Sequence, residues 1–161
     1  MPAGSSIGFI SSAAGMGWQQ NVDLLSGLLA TDGFDAGAAW CDAHDDAIAA
    51  NGYGFSKEAI NAYVAWRGFQ VASRVRINSI QPGPTDTPMM PSFVEQMGAE
   101  FFERFPKPVG RNSRPDEQAW ALVMVNSPRS SYVAATNVFT DGGLSGGLFT
   151  NSIDFDALFS A

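Results

Sequence analysis

Short apolar runs alternate along the chain with longer stretches whose apolar positions have helical spacing. Residues 7–11 form the first run, which ends in hydroxyl and small side chains and is typical of a buried strand. Residues 75–80 form a second run that stops at Pro82-Gly83, and residues 132–140 form the last one. The pattern therefore predicts three short strands separated by helical segments.

Helical spacing is clearest in two segments. The run from Tyr53 to about Ser73 carries apolar side chains suited to contacts along one helix. A second helix is predicted from Arg114 to Asn126, because a proline and acidic residues occupy its first turn. The segment 16–52 is too long for a simple connection, so we expect an inserted helical element there.

The composition is that of a globular protein with few charges. Of the 161 residues, 45% are hydrophobic and 16% are charged, and this length suffices for one domain with its own core. No uninterrupted apolar run approaches the roughly 18 to 20 residues that a membrane helix needs, so we expect no membrane segment. The first six residues have neither the basic nor the apolar part of a secretory signal, which predicts a cytoplasmic protein.

Charge and cysteine content disfavour two further classes of function. The net charge of −7 argues against nucleic acid as a partner, since phosphate backbones are bound through basic surfaces. The single cysteine, Cys41, has no second cysteine for an internal disulfide and offers no metal cluster. His44 lies among Asp42, Asp45 and Asp46, where a solvated helix face is the ordinary interpretation and a metal site is the disfavoured alternative. We therefore expect no bound metal.

Candidate chemistry first arises at Tyr53 and Lys57, which are four residues apart at the start of a predicted helix. Residues i and i+4 of a helix share one face, so the ammonium group can lie near the phenol or near a ligand that both contact. A nearby positive charge favours the phenolate and lowers the pKa of a tyrosine from about 10 toward neutrality. The pair is suited to proton transfer, although the spacing alone also fits a half-exposed ring above a solvated lysine.

Four features occur in one order along the chain: a strand followed by two serines, the tyrosine–lysine pair, a proline–glycine turn with two threonines, and a late aspartate followed by two glycines. The residues are Ser11 and Ser12, Tyr53 and Lys57, Asn78-Ser79-Ile80-Gln81-Pro82-Gly83-Pro84-Thr85-Asp86-Thr87, and Thr140-Asp141-Gly142-Gly143. With these motifs the sequence resembles the short-chain dehydrogenase/reductase family. The long spacing between Ser12 and Tyr53 is similar to that of a bacterial subgroup with 3α-hydroxysteroid dehydrogenase/carbonyl reductases and coniferyl-alcohol dehydrogenases.

The resemblance implies an α/β fold over residues 1–161, as a single partial Rossmann-like domain. It corresponds to the carboxyl-terminal part of a doubly wound parallel sheet, with about three parallel strands and flanking helices. It also implies an oxidoreductase that uses NAD or NADP and interconverts a secondary or aromatic alcohol and its carbonyl compound. The expected substrate is therefore a small-molecule alcohol or ketone.

The same resemblance assigns roles to individual residues. Ser12, with Ser11 as the fallback, is expected to orient the substrate oxygen, and Tyr53 to exchange a proton with it. Lys57 is expected to lower the pKa of the phenol and to bind the nicotinamide ribose. The residues expected beside the nicotinamide and the adjoining phosphates are Pro82, Gly83, Thr85 and Thr87.

Residues 88–112 are expected to form a lid over the substrate. An apolar residue recurs there every four positions, which predicts one helix with an apolar stripe. The members of this stripe are Phe93, Met97, Phe101 and Phe105. The stripe fits core packing and also fits a pocket for a lipophilic or aromatic ligand, in which Met89, Met90 and Phe93 would contact the substrate.

Family members carry a glycine-rich turn, a ribose-selecting residue and an Asn-Ala-Gly stretch in a preceding half, and these are not in the sequence. We therefore expect a truncated chain in which the amino-terminal cofactor-binding half is absent and one edge of the strand at 7–11 is unpaired. A homo-oligomer is expected, and the choice between NAD and NADP stays open. The alternative is a catalytically inactive fragment or interaction module that binds through this edge and through an apolar tail. The tail contains Phe149, Phe155, Leu158 and Phe159.

Overall fold

A parallel sheet of three strands forms the centre of the computed structural model, which describes residues 1–154. The strands are β1 (Ser5–Ile10), β2 (Val75–Pro82) and β3 (Thr136–Thr140), in the spatial order β1-β2-β3. Ile7 of β1 lies opposite Ile77 of β2. The predicted α/β fold, with about three parallel strands and flanking helices, is confirmed.

Eight helices accompany the sheet within the described residues. They are α1 (Val22–Leu29), α2 (Gly33–Ala43), α3 (Asp45–Ile48), α4 (Gly52–Val71), α5 (Met90–Met97), α6 (Ala99–Arg104), α7 (Pro115–Asn126) and α8 (Leu144–Phe149). Short 3₁₀ turns lie at Ala13–Gly15, Trp18–Asn21, Ala49–Asn51 and Pro128–Ser130.

The central strand β2 is buried because α4 and α7 cover its two faces. Alternate residues of a strand point to opposite faces of the sheet. Arg76 donates to the carbonyl of Val125 in α7 at 2.7 Å. Ser79 instead donates to Asn137 of β3 at 2.6 Å, and the amide of Asn137 donates to the carbonyl of Asn61 in α4 at 3.2 Å. The helix α4 therefore covers the face of the sheet that carries Ser79.

All three predicted strands differ from the structure at one or both ends. β2 extends to Pro82 rather than ending at residue 80. β1 covers Ser5–Ile10 rather than residues 7–11, so both serines of the motif lie beyond the strand. β3 begins at Thr136 rather than at Tyr132, because Ala135 has a φ of 56°. This left-handed conformation is incompatible with an extended strand.

The prediction of one continuous helix in the segment 88–112 is wrong. Gly98 has a φ of 87° and separates α5 from α6, and residues with a Cβ rarely adopt such a value. Phe93 and Met97 therefore lie on α5, whereas Phe101 lies on α6. The regular four-residue spacing does not produce one uninterrupted face.

Helices α1 to α3 occupy the segment 16–52, and whether this segment is an insertion stays a prediction. Leu25 of α1 is fully buried, whereas no residue of α2 is buried. The ring of Trp40 in α2 lies against Gly27, where a Cβ would come within 3.0 Å of it, and stacks on His44 at 3.9 Å. The aromatic side chain of Trp40 is thus a main attachment of α2 to the body.

Residues 1–154 contain neither a candidate membrane span nor a candidate metal cluster. None of their helices combines the length and the apolar character that crossing a membrane requires. No three of their histidine, cysteine, aspartate and glutamate side chains are grouped so that they could hold a metal ion. The residues Phe155, Leu158 and Phe159 of the predicted apolar tail lie outside the described part of the chain.

Candidate active site

Tyr53 and Lys57 face the same side of the first turns of α4. The helix begins at this point because the side chain of Asn51 accepts a hydrogen bond from the backbone of Gly54 at 3.0 Å and so caps its amino terminus. The Nζ atom of Lys57 lies 5.4 Å from the centre of the Tyr53 ring, within the range of a cation–π contact. Tyr53 remains 43% exposed, so its phenol is accessible to a ligand.

Lys57 connects α4 to the carboxyl end of β1. Its Nζ donates to the carbonyl of Ile10, the last residue of β1, at 3.4 Å. An ammonium group has three N–H donors, and this bond uses one of them. Partial burial lowers the pKa of Lys57 from its ordinary value, because desolvation disfavours the charged form. The remaining donors suit a hydroxyl-rich ligand such as a ribose.

The two serines after β1 have different environments. Ser11 is buried, and its Oγ donates to the backbone carbonyl of Lys57 at 3.0 Å. Ser12 is only half-buried, and its Oγ accepts a hydrogen bond from the backbone of Ala14 at 3.1 Å. A hydroxyl that accepts in this way still has its own proton to donate. Ser12 is therefore the serine with a free donor, and its assignment to the substrate stays a prediction.

The turn after β2 is close-packed against the end of β3. A Cβ added to Gly83 would lie 3.0 Å from the Cα of Asp141, so a larger residue would press on the neighbouring backbone. Thr85 contacts Ser113 with the two hydroxyl oxygens 2.8 Å apart. Thr87 accepts a hydrogen bond from the backbone of Met89 at 3.3 Å, which leaves the proton of its hydroxyl available.

The predicted lid contacts the tyrosine through one side chain. The ring of Phe93 on α5 lies 5.3 Å from the ring of Tyr53 at an angle of 70°, an edge-to-face arrangement. Met90 is half-buried at the start of α5, and Met89 is exposed before it. The structure thus brings Phe93 to Tyr53 and leaves Met89 on the surface.

These residues fit the nicotinamide end of a dinucleotide better than its diphosphate. Lys57, Tyr53 and Thr87 offer donors or an accessible phenol. A diphosphate needs backbone N–H groups at a helix amino terminus. Two backbone N–H groups at the turn between β3 and α8 are already bonded, because the carboxylate of Asp141 accepts from Gly143 at 3.0 Å and from Ser145 at 2.8 Å. Its negative charge would repel a phosphate there.

Sequence reasoning missed the residue that joins the serine-bearing turn to α4. Asn61 is fully buried and donates from Nδ2 to the carbonyl of Gly15 at 2.9 Å. The only signal in the sequence is its position four residues after Lys57, on the same helix face.

Comparison with known proteins gives one family match and several relatives. The family model described as enoyl-(acyl carrier protein) reductase matches residues 40–145. Coniferyl-alcohol dehydrogenase from Pseudomonas sp. (strain HR199 / DSM 7063) is 30% identical over 146 residues, which are 88% of this chain and 56% of that protein. The 3-alpha-hydroxysteroid dehydrogenase/carbonyl reductase of Comamonas testosteroni is 33% identical over 94 residues, or 57% of this chain and 37% of that protein.

A solved structure reproduces the fold. The 3-alpha-hydroxysteroid dehydrogenase from Pseudomonas sp. B-0831, complexed with NADH, superposes with a TM-score of 0.73 and 24% sequence identity. The superposition covers 92% of this chain and 58% of that structure. The chain therefore spans about half the length of the relatives that it matches.

Proposed function

Because the chain belongs to the short-chain dehydrogenase/reductase family, we propose that it is a part of an NAD(P)-dependent oxidoreductase. The proposed reaction interconverts a secondary or aromatic alcohol and its carbonyl compound. The observation that carries the proposal is the pairing of Tyr53 with Lys57 beside the end of β1. The names of the relatives, a coniferyl-alcohol dehydrogenase and a hydroxysteroid dehydrogenase, support the substrate class.

Three side chains carry the proposed chemistry. The hydroxyl of Ser12 donates a hydrogen bond to the substrate oxygen and fixes its direction. The phenol of Tyr53 gives its proton to that oxygen during reduction and takes it back during oxidation. The positive charge of Lys57 stabilises the phenolate that forms when Tyr53 loses its proton. The bound nicotinamide supplies or accepts the hydride.

The surrounding residues complete the proposed site. Lys57 also donates to the nicotinamide ribose, with Pro82, Gly83, Thr85 and Thr87 lining the nicotinamide side. Met89, Met90 and Phe93 form the apolar wall against the substrate. The edge-to-face contact between Phe93 and Tyr53 supports this wall, because it places an aromatic side chain next to the proton-transferring group.

A second candidate function is a binding module without catalysis, and an exposed surface favours it. β1 pairs with β2 on one edge and has no partner strand on its other edge within residues 1–154. Phe69 on α4 and Trp120 on α7 are 80% and 71% exposed. Such a surface would also support a homo-oligomer, and light scattering on the purified chain distinguishes a monomer from an oligomer.

The test is a titration of NADH and NADPH into the purified chain, followed by nicotinamide fluorescence and by turnover with aromatic and steroidal alcohols. Saturable binding with turnover supports the oxidoreductase. Substitution of Tyr53 by Phe should then abolish turnover and preserve binding, whereas the matched control Tyr132→Phe, at a fully exposed tyrosine, should keep both. Retained turnover in Tyr53→Phe would overturn the proposed role, and no binding of either nucleotide would favour the binding module.

A further inference from the structure

The fully buried Asn61 links the helix of the tyrosine–lysine pair to the turn that carries Ser12. Its Nδ2 donates to the carbonyl of Gly15 at 2.9 Å, across 46 positions of sequence. Gly15 is the last residue of the 3₁₀ turn Ala13–Gly15, and Ser12 is the residue that caps the start of that turn. The bond therefore fixes the far end of a turn whose near end is Ser12.

A second bond holds the near side of the same turn. Ser11 donates from Oγ to the backbone carbonyl of Lys57. In an α-helix this carbonyl also accepts the N–H of the residue four positions later, which is Asn61. Ser12 thus lies between two contacts, one at Ser11 and one at Gly15, and both end on the same turn of α4.

The turn and the helix are in close contact at Gly15. A Cβ added to Gly15 would lie 2.7 Å from Nδ2 of Asn61 and 2.7 Å from the backbone carbon of Lys57. Glycine is therefore required here by the approach of two backbones, and the amide of Asn61 fills the remaining space beside it.

Asn61 is itself held from the side of the sheet. Its backbone carbonyl accepts from Nδ2 of Asn137 at 3.2 Å, and Oδ1 of Asn137 accepts from Ser79 at 2.6 Å. A continuous polar chain therefore runs from the centre of the sheet through α4 to the serine-bearing turn. Buried polar groups in such chains fix a single arrangement because each unmade bond is costly.

We propose that Asn61 is a positioning residue that sets the place of the Ser12 hydroxyl relative to Tyr53 and Lys57. The catalytic part of this inference rests on the proposed function, in which Ser12 binds the substrate oxygen. The structural part is independent of it. In this role Asn61 acts through the turn, by its bond to Gly15, rather than by contact with the substrate or the cofactor.

The experiment is hydrogen exchange by NMR on the purified full chain. In the wild type, the side-chain amide group of Asn61 and the backbone amides of Ala14 and Gly15 should be protected, because each of these three groups donates one hydrogen bond in the structure. The wild-type measurement needs no variant. Rapid exchange of the Asn61 side-chain amide would overturn the proposal.

The variant Asn61→Asp keeps the size of the side chain and removes the donor, and Asn61→Ala removes it without adding a charge. Loss of the bond should speed exchange at Ala14 and Gly15 by at least about tenfold while the other amides of α4 remain protected. The matched control is Asn78→Asp, a fully buried asparagine that donates to Val133 at 2.9 Å away from the turn. The control should leave exchange at Ala14 and Gly15 unchanged, and unchanged exchange in both folded Asn61 variants would overturn the proposal.

A turnover assay distinguishes a failure of the role proposed for Asn61 from a failure of the proposed function. Where the wild type is active, Asn61→Ala should lower kcat by about tenfold or more and change KM less, because a displaced donor matters most as charge develops on the substrate oxygen. A wild type that does not turn over would contradict the proposed function, and the exchange measurements would still decide the role of Asn61.

Discussion

The hydroxyl of Ser11 donates to the backbone carbonyl of Lys57 over 3.0 Å, 46 positions along the chain. This bond occupies Ser11 in packing and leaves the neighbouring Ser12 as the serine with a free donor. The two adjacent serines therefore have different expected roles: Ser11 in packing and Ser12 as a donor to the substrate.

Substitutions of the two serines should affect different properties of the protein. Ser11→Ala should lower the free energy of unfolding by about 1 kcal/mol, because it removes one buried hydrogen bond. Ser12→Ala should change stability less and reduce turnover about a hundredfold, since it removes a donor to the substrate oxygen. Urea unfolding and the turnover assay measure the two effects. A larger loss of turnover in Ser11→Ala than in Ser12→Ala would reverse the assignment.

The pKa of Lys57 should make stability depend on pH in the alkaline range. Burial lowers this pKa in the folded state below its ordinary value of 10.5, so the unfolded state holds more protons between the two values. Stability should therefore rise with pH across that window as the burial of a charged ammonium ceases to be a cost. Unfolding by urea at several pH values, for the wild type and for Lys57→Met, isolates the contribution of Lys57. The stability of the wild type relative to Lys57→Met should increase with pH, and a decrease would contradict the expected direction.

Gly83 offers a test between packing and cofactor binding. Gly83→Ala should destabilise the chain by about 1 to 3 kcal/mol, because the new Cβ meets the backbone of Asp141 at 3.0 Å. The matched control is Gly146→Ala in α8, where nothing lies within 4 Å of the added Cβ and stability should rise by about 0.5 to 1 kcal/mol. Thermal unfolding compares the two. Unchanged stability together with lost nucleotide binding would assign Gly83 to the cofactor instead of to packing.

Phe93 should affect substrate affinity through its contact with Tyr53. Phe93→Leu removes an edge-to-face aromatic pair, so KM for an aromatic alcohol should rise about threefold to tenfold. Phe34→Leu serves as the control, because Phe34 is 87% exposed on α2. Steady-state kinetics with one aromatic and one aliphatic alcohol measure the change. Equal effects of the two variants would remove Phe93 from the substrate wall.

The sequence by itself determined the features that depend on neighbours along the chain. The closeness of Tyr53 and Lys57 follows from helical geometry alone, because residues four positions apart lie on one face. Apolar runs bounded by glycine and proline located all three strands to within a few residues. Both kinds of signal are local, so no knowledge of the remaining chain was needed.

Only the tertiary structure decided the features that depend on distant segments. Ser11 is buried against α4, Gly83 is closely packed against the residue that follows β3, and Asn61 bonds to Gly15. The tertiary structure also divided the predicted lid helix at Gly98, whose φ of 87° overrides the regular apolar spacing. Spacing along the chain records which residues share a face. It does not record which segment from far away will pack there, because close packing selects those contacts only when the sheet and its helices are assembled.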